Sequence, residues 1–289
     1  MMYPRPFDYV RADSVEQALD LRSETGGRFI AGGHSLLPMM KIRMTAPNAL
    51  VDIGRIDGLK GIAADNGGFT IGALTTHSMV AAEGAEGFPA ALSEAASMIG
   101  DPLVRNRGTV GGNVAHADPA SDLPTVFSAL GATMTAASKG GATRDIGAPE
   151  FFTGLFESAL NSDELLTTVK VDAERAGRAS AYAKLFNPAS RYAVVGACAV
   201  VEIGEDGSCA ACTVAVGGLT PKATVLESVA NALTGNPVTE DSAESAARES
   251  IDEVGDDIMG DVYAGVDYRR QMLPVFVARA INAAASRAG

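Results

Sequence analysis

The chain has 289 residues, of which 47% are hydrophobic and 20% charged. That composition can bury a core, and it excludes an intrinsically disordered chain. Lysine and arginine number 23 against 35 acidic residues, for a net charge of −12. A chain this acidic lacks the basic footprint that nucleic acid or an anionic membrane surface requires, so a phosphorylated ligand must be held by backbone N–H groups.

The length corresponds to two domains with room for a third small one. The first residues, MMYPRPFDYVRADS, carry no apolar signal-peptide core. No apolar run approaches the ~18–20 residues of a membrane span. Three cysteines, Cys198, Cys209 and Cys212, are too few for a disulfide framework and suit a reducing compartment.

Strands and helices alternate along the chain. Ser14, with Gln17 three residues on, reads as a capping box opening a helix that carries Val15, Ala18 and Leu19 on one face. Gly26 and Gly27 end it. A strand over 28–31 runs into Gly-Gly-His-Ser-Leu-Leu-Pro, and Pro38 suits the first turn of a second helix reaching Met44. With a strand over 49–53, this is a strand–loop–helix–strand unit that builds a small parallel sheet. A second region starts near Asp57, with a strand over 69–73 and helices over 75–83 and 89–99. The polar, glycine-rich stretch from Asp101 to Asp122 reads as an ordered binding loop, followed by a helix capped by Ser121 or Asp122. Beyond a polar AERAGRAS linker, strands over 179–186, 193–203 and 209–217 form an antiparallel meander. Helices follow over 222–233, 240–254 and 267–286, the last containing Pro274.

Two glycine pairs carry most of the chemical signal. The first is Ala31-Gly32-Gly33-His34-Ser35-Leu36, between a strand and a helix start. Paired glycines let consecutive N–H groups converge on one anion with a helix dipole behind them, and Ser35 adds a hydroxyl. An ordinary strand-to-helix turn has the same appearance. The second is Thr109-Val110-Gly111-Gly112-Asn113, with Asp118 and Asp122 beyond it. Two such turns suit a two-sided cradle for a large anionic ligand of dinucleotide size. No G-x-G-x-x-G, P-loop or G-x-S-x-G motif occurs, which leaves an ordinary Rossmann site, a nucleotide P-loop and a nucleophile elbow unsupported.

Cys209-Ala-Ala-Cys212 lies in a strand-like stretch and not at a helix start, so it reads as inert strand cysteines and not as a redox or metal pair. His34, His77 and His116 lack metal-pair spacing and suit loop hydrogen bonding. Arg105 and Arg107 could neutralise phosphate or face solvent. Tyr192 could lie against a planar ring, and the core is its simpler place.

The segments A-G-G-H-S-L-L-P at 31–38, R-N-R-G-T-V-G-G-N at 105–113 and D-P-A-S-D at 118–122 resemble the medium, FAD-binding subunit of molybdenum hydroxylases. This is the xanthine dehydrogenase family, and the nearest likeness is to its carbon monoxide dehydrogenase branch. The resemblance extends from F-D-Y near residue 7 to Y-R-R-Q-M-L-P-V at 268–275. It implies an α+β (α/β) chain: an FAD-binding fold of the vanillyl-alcohol-oxidase (PCMH) type, then a C-terminal antiparallel sheet with helices. The expected divisions are 1–56 and 57–172, two FAD-binding subdomains, and 173–289.

The resemblance also implies roles. Residues 31–36 and 109–113 hold the FAD pyrophosphate through N–H groups, with Ser35, Thr109 and Asn113 assisting. Asp122 is an acidic contact to the cofactor. Ile99 and Leu166 are apolar contacts, Lys184 stands near the isoalloxazine, and Tyr192 lies beside the flavin ring. Gly100 departs from the family pattern, where Ala is expected. No residue is expected to be catalytic in the proton-transfer sense and none to bind metal. The implied activity is electron relay. A large partner subunit carries the molybdenum cofactor, a small one carries two [2Fe–2S] clusters, and FAD in this chain delivers electrons to a quinone, NAD⁺ or oxygen. The implied assembly is a cytoplasmic dimer of heterotrimers, with room for peripheral contact at the inner membrane. Rival readings are a family member acting on an aldehyde, purine or N-heterocycle, a stand-alone flavin reductase, and an assembly protein that has lost its cofactor.

Overall fold

The structure, a computed structural model, describes residues 3–288. Three sheets of three or more strands follow one another along the chain, with a two-stranded hairpin inside the second unit and helices packed between the second and third.

The first unit comprises β1 (Asp8–Arg11), α1 (Val15–Thr25), β2 (Arg28–Ile30), α2 (Leu36–Lys41) and β3 (Ala49–Asp52). Its strands lie in the order β1-β3-β2, all parallel. The expected parallel sheet is present, with β1 as an additional edge strand. Ser14 Oγ accepts from Gln17 N at 3.1 Å, while the Gln17 side chain accepts from Asp13 N and not from the cap residue. Gly26 closes α1 at φ +62°, a left-handed setting that disfavours a β-carbon. Helix α2 ends at Lys41, three residues short of the expected Met44.

The second unit is a five-stranded antiparallel sheet ordered β4-β5-β10-β6-β7. It contains β4 (Ile62–Asp65), β5 (Gly68–Gly72), α3 (His77–Ala81), α4 (Ala90–Met98), α5 (Pro102–Arg105), α6 (Val110–His116), α7 (Asp122–Ala129), β6 (Thr133–Ala137) and β7 (Thr143–Gly147). Then come α8 (Ala148–Phe151), the hairpin β8 (Phe152–Gly154) and β9 (Glu157–Ser158), and β10 (Leu165–Val171). The stretch 101–122 is not one irregular loop, because α5 and α6 lie within it. Asp101 caps α5 by accepting from Val104 N, and Thr109 Oγ1 caps α6 by accepting from Gly112 N at 3.1 Å. Gly100 adopts φ +50°, and a β-carbon there would crowd Val104 at 2.9 Å. The local turn therefore explains why Gly stands at this position.

The third unit joins α9 (Ala173–Ala176), β11 (Ala179–Phe186), β12 (Ala193–Ile203), β13 (Cys209–Gly217), β14 (Thr224–Val225), α10 (Glu227–Leu233), α11 (Glu240–Val254) and α12 (Val266–Ala285). The expected linker thus contains one helical turn, and the expected helix over 222–233 starts only at Glu227. The meander is confirmed: β11, β12 and β13 pair antiparallel in sequence.

Strand β12 is buried from Ala193 through Val201. Its alternate residues serve two cores. Cys198 and Val200 join the core of the second unit, while Ala197, Ala199 and Val201 join that of α10–α12. Two glycines make room on the face of the sheet, one for the Tyr182 hydroxyl of β11 and one for α7. A β-carbon at Gly196 would strike the Tyr182 hydroxyl, and one at Gly217 would strike Thr125 Oγ1 of α7. No helix among the described residues is long and apolar enough to cross a membrane.

Candidate cofactor site

The first two units face each other across a cleft of about 580 Å³, and the segment after β11 closes its rim. The turn between β2 and α2 forms one wall. Ala31, Gly32, Gly33, His34, Ser35 and Leu36 all line it. Among the described residues, no acceptor bonds to the N–H groups of the five residues Gly32 to Leu36. Gly33 sits at φ +77°, and Ser35 makes no side-chain cap bond. A row of unpaired donors along a cleft wall is what an oxyanion-rich ligand would satisfy.

The second glycine motif does different work. Val110 N donates to Thr75 O at 2.9 Å and Gly111 N to Ala73 O at 2.8 Å. Gly112 N and Asn113 N are engaged by Thr109. A β-carbon at Gly111 would meet Ala73 Cβ at 2.5 Å. These glycines therefore let α6 dock on the backbone that follows β5, and their N–H groups are already used. Val110 is wholly buried and does not line the cleft, whereas Thr109, Gly111, Gly112 and Asn113 do. The expected two-sided cradle of N–H groups is thus one-sided. On its second side stands Asn113, whose Nδ2 donates to Ser121 Oγ at 3.1 Å and whose buried Oδ1 has no partner.

Ile99 and Leu166 line the cleft as apolar, nearly buried residues. Tyr192 stands at its rim, 42% exposed, and is not a core residue. It ends a tight loop in which Asn187 N donates to Tyr192 O and Arg191 adopts φ +63°. His77 is buried on the wall with an unpartnered Nδ1. Burial, reinforced by His34 nearby, lowers its pKa to about 4, so it is neutral at physiological pH.

Lys184 does not reach the cleft. Its ammonium is fully enclosed and donates to Asp122 Oδ2 at 2.7 Å and to Met98 O at 3.3 Å. Asp122 borders the cleft at the start of α7. Its second oxygen, Oδ1, accepts from the Tyr182 hydroxyl at 2.6 Å. Burial pushes the Asp122 carboxyl up and the Lys184 ammonium down, and their contact pulls each back toward its charged form. Tyr182 went unnoticed in the sequence. The available signal was its place two residues from Lys184 on a strand, which puts both on one face.

Cys209 and Cys212 lie on β13, where the register with β12 shifts between Glu202 and Ile203. Both are free thiols, Cys209 buried and Cys212 half-buried. Neither lines the cleft.

A parallel three-stranded unit and an antiparallel five-stranded unit enclose a donor-lined cleft that suits a large anionic ligand, with a third sheet-and-helix unit appended. Residues 5–172 match the family described as "FAD binding domain in molybdopterin dehydrogenase", and residues 180–284 match "CO dehydrogenase flavoprotein C-terminal domain". The chain belongs to this family of FAD-binding molybdopterin dehydrogenase subunits. It is a flavoprotein oxidoreductase subunit, and FAD is its cofactor.

Several relatives span nearly the whole chain. The 6-hydroxypseudooxynicotine dehydrogenase complex subunit alpha of Paenarthrobacter nicotinovorans is 36% identical, over 99% of this chain and 97% of that protein. The carbon monoxide dehydrogenase medium chain of Hydrogenophaga pseudoflava is 35% identical, over 99% of both. Carbon monoxide dehydrogenase from Hydrogenophaga pseudoflava superposes with a TM-score of 0.93 at 34% identity, covering 100% of both chains. Quinoline 2-oxidoreductase from Pseudomonas putida 86 gives 0.92 at 29%, covering 99% of each.

Proposed function

We propose that this chain is the FAD-carrying electron-transfer subunit of a carbon monoxide dehydrogenase-type molybdenum hydroxylase. It receives electrons from [2Fe–2S] clusters on a small partner subunit, which are supplied by a molybdenum centre on a large one. It passes them to an external acceptor such as a quinone, within a cytoplasmic dimer of heterotrimers that can lie peripherally at the inner membrane. The observation that carries this reading is the row of unpaired N–H groups from Gly32 to Leu36 along a cleft of dinucleotide scale.

In this reading the 31–36 turn grips the pyrophosphate, and Ser35 and Asn113 add side-chain contacts. Thr109 acts indirectly by capping α6. Ile99 and Leu166 exclude water from the ring system, and Tyr192 covers it at the rim. Bound FAD supplies the exchange between two-electron and one-electron steps. The chain's own contribution is to hold the cofactor and set the charge around it.

A second reading keeps the subunit and changes the substrate to an N-heterocycle. It is favoured by the 36% identity to the 6-hydroxypseudooxynicotine dehydrogenase subunit, which equals the likeness to the carbon monoxide enzyme within one percentage point. An anaerobic visible spectrum of the natively purified complex, before and after carbon monoxide, separates the two. Flavin and iron–sulfur bands that bleach with carbon monoxide support the first. Bands that bleach only with an N-heterocycle support the second. A complex lacking any flavin band overturns both.

A further inference from the structure

Tyr182 lies outside the cleft, on β11, yet it is joined to it through one residue. Its hydroxyl donates to Asp122 Oδ1 at 2.6 Å, and Asp122 borders the cleft. The ring is 5% exposed and belongs to the core shared by α4, α7 and the third sheet. Its backbone is fixed as well, because Tyr182 N donates to Glu94 Oε2 of α4 at 2.8 Å. The hydroxyl occupies space left by Gly196 on the neighbouring strand, where a β-carbon would collide with it. Sequence and packing thus reserve a site for one phenolic oxygen against one carboxylate.

The carboxylate has a second partner. Lys184 Nζ holds Oδ2 at 2.7 Å, and the same ammonium donates to Met98 O, one residue before Ile99 of the cleft wall. Asp122 therefore receives one donor on each oxygen, both from β11, and its field extends to Arg191 and Tyr192 at the rim. In so dry a setting the dipole of a hydrogen-bond donor acts more strongly than in water and offsets part of the carboxylate's field.

We infer that Tyr182 is a positioning residue for flavin redox tuning: by donating to Asp122 Oδ1 it fixes that carboxylate beside the cleft and attenuates the negative charge that bound flavin meets. The inference rests on the reading of the cleft as the FAD site. Removing the donor leaves a fuller negative charge beside a ring that gains electrons on reduction, so reduction becomes harder.

The test uses the full chain in its purified complex. Tyr182→Phe keeps the ring and deletes the donor, and dye-coupled titration reads the flavin midpoint potential. The expected result is retained FAD with a midpoint shifted to more negative potential. Ser180→Ala removes a different buried hydrogen bond between β11 and α4, to Ala91 N at 3.3 Å, and is expected to leave the midpoint unchanged. In an Asp122→Asn background the Tyr182→Phe shift should disappear. Should Tyr182→Phe fail to fold, Gly196→Ala displaces the hydroxyl sterically and should shift the midpoint in the same direction. A flavin-loaded Tyr182→Phe enzyme with an unchanged or more positive midpoint overturns the inference. So does an equal shift in both backgrounds. A wild-type complex without flavin overturns the underlying reading instead.

Discussion

Gly32 lies flat against the backbone that precedes the second glycine motif, so a β-carbon at position 32 would stand 2.9 Å from Gly108 Cα and strike the Arg107 carbonyl. The two glycine motifs are therefore one contact. The donor turn of the first unit is held in place by the chain leading into α6. Gly32→Ala should separate the two walls. Overpacking of this kind costs about 1–3 kcal/mol, and the misplaced turn should lose its ligand. A lower melting temperature together with lower flavin content is expected. Unchanged values for both would show that the walls tolerate a wider gap.

Gly112 presents a different case. Its missing β-carbon would meet only Thr109 Oγ1, at 2.8 Å, and the residue lines the cleft. Gly112→Val should therefore act on the ligand more than on the fold. The expected outcome is a folded protein with little or no FAD, read from the ratio of flavin to protein absorbance beside a thermal melt. Stoichiometric flavin in this variant would remove position 112 from the site.

The Asp122–Lys184 pair is buried at both ends, with side-chain exposures of 5% and 0%. Removing one partner strands the other charge, which costs about 3–5 kcal/mol in comparable sites. Lys184→Met should lower stability by that amount in chemical denaturation. The double variant Asp122→Asn with Lys184→Met should recover much of the loss, because no charge is left alone. A double variant as unstable as the sum of the two single ones would show that packing, not charge, sets the cost.

His77 makes acid stability predictable. Its pKa falls from 6.5 to about 4 in the folded protein. Its contribution is complete above pH 6.5, where folded and unfolded chains both hold it neutral. As pH falls toward 4 the unfolded chain takes up a proton that the folded chain refuses, and stability drops by roughly 3 kcal/mol. His77→Gln should flatten the stability profile across that window. Equal slopes for variant and parent in denaturant titrations between pH 4 and 6.5 would contradict the assignment.

Tyr192 stands at the rim with 42% of its surface exposed and Arg191 beside it in a left-handed setting. Tyr192→Ala should change the visible flavin spectrum or its fluorescence while leaving the melting temperature nearly unchanged. A variant with unaltered optical properties would place the ring away from the cofactor.

Much of the fold was legible locally. Ser14 and Gly26 mark α1 because capping and left-handed geometry are properties of a few neighbouring residues. The strands 179–186, 193–203 and 209–217 emerge with their true ends, since each is apolar and bounded by turn residues. Strands β1, β4, β6, β7 and β10 were not legible. They are short or rich in Ala and Thr, and their partners come from elsewhere in the chain; β10 joins β5 across almost a hundred residues. Helix α6 was hidden by its two glycines and asparagine, whose low propensity is overridden here by the cap at Thr109, and α5 is a single turn set by Asp101.

The sequence by itself determined which residue types meet at the cleft: a glycine turn, a hydroxyl, an amide and an acidic residue, ordered as this flavin-binding family orders them. Only the tertiary structure decided how those groups are used. It leaves the N–H groups of Gly32 to Leu36 free and consumes those of Val110 and Gly111 in docking α6. It withdraws Lys184 from the cleft and sets Tyr182 opposite it on the Asp122 carboxylate. The reason is physical. A donor's availability depends on whether an acceptor from a distant segment has already reached it, and a buried charge depends on partners that the chain brings together only when its sheets pack.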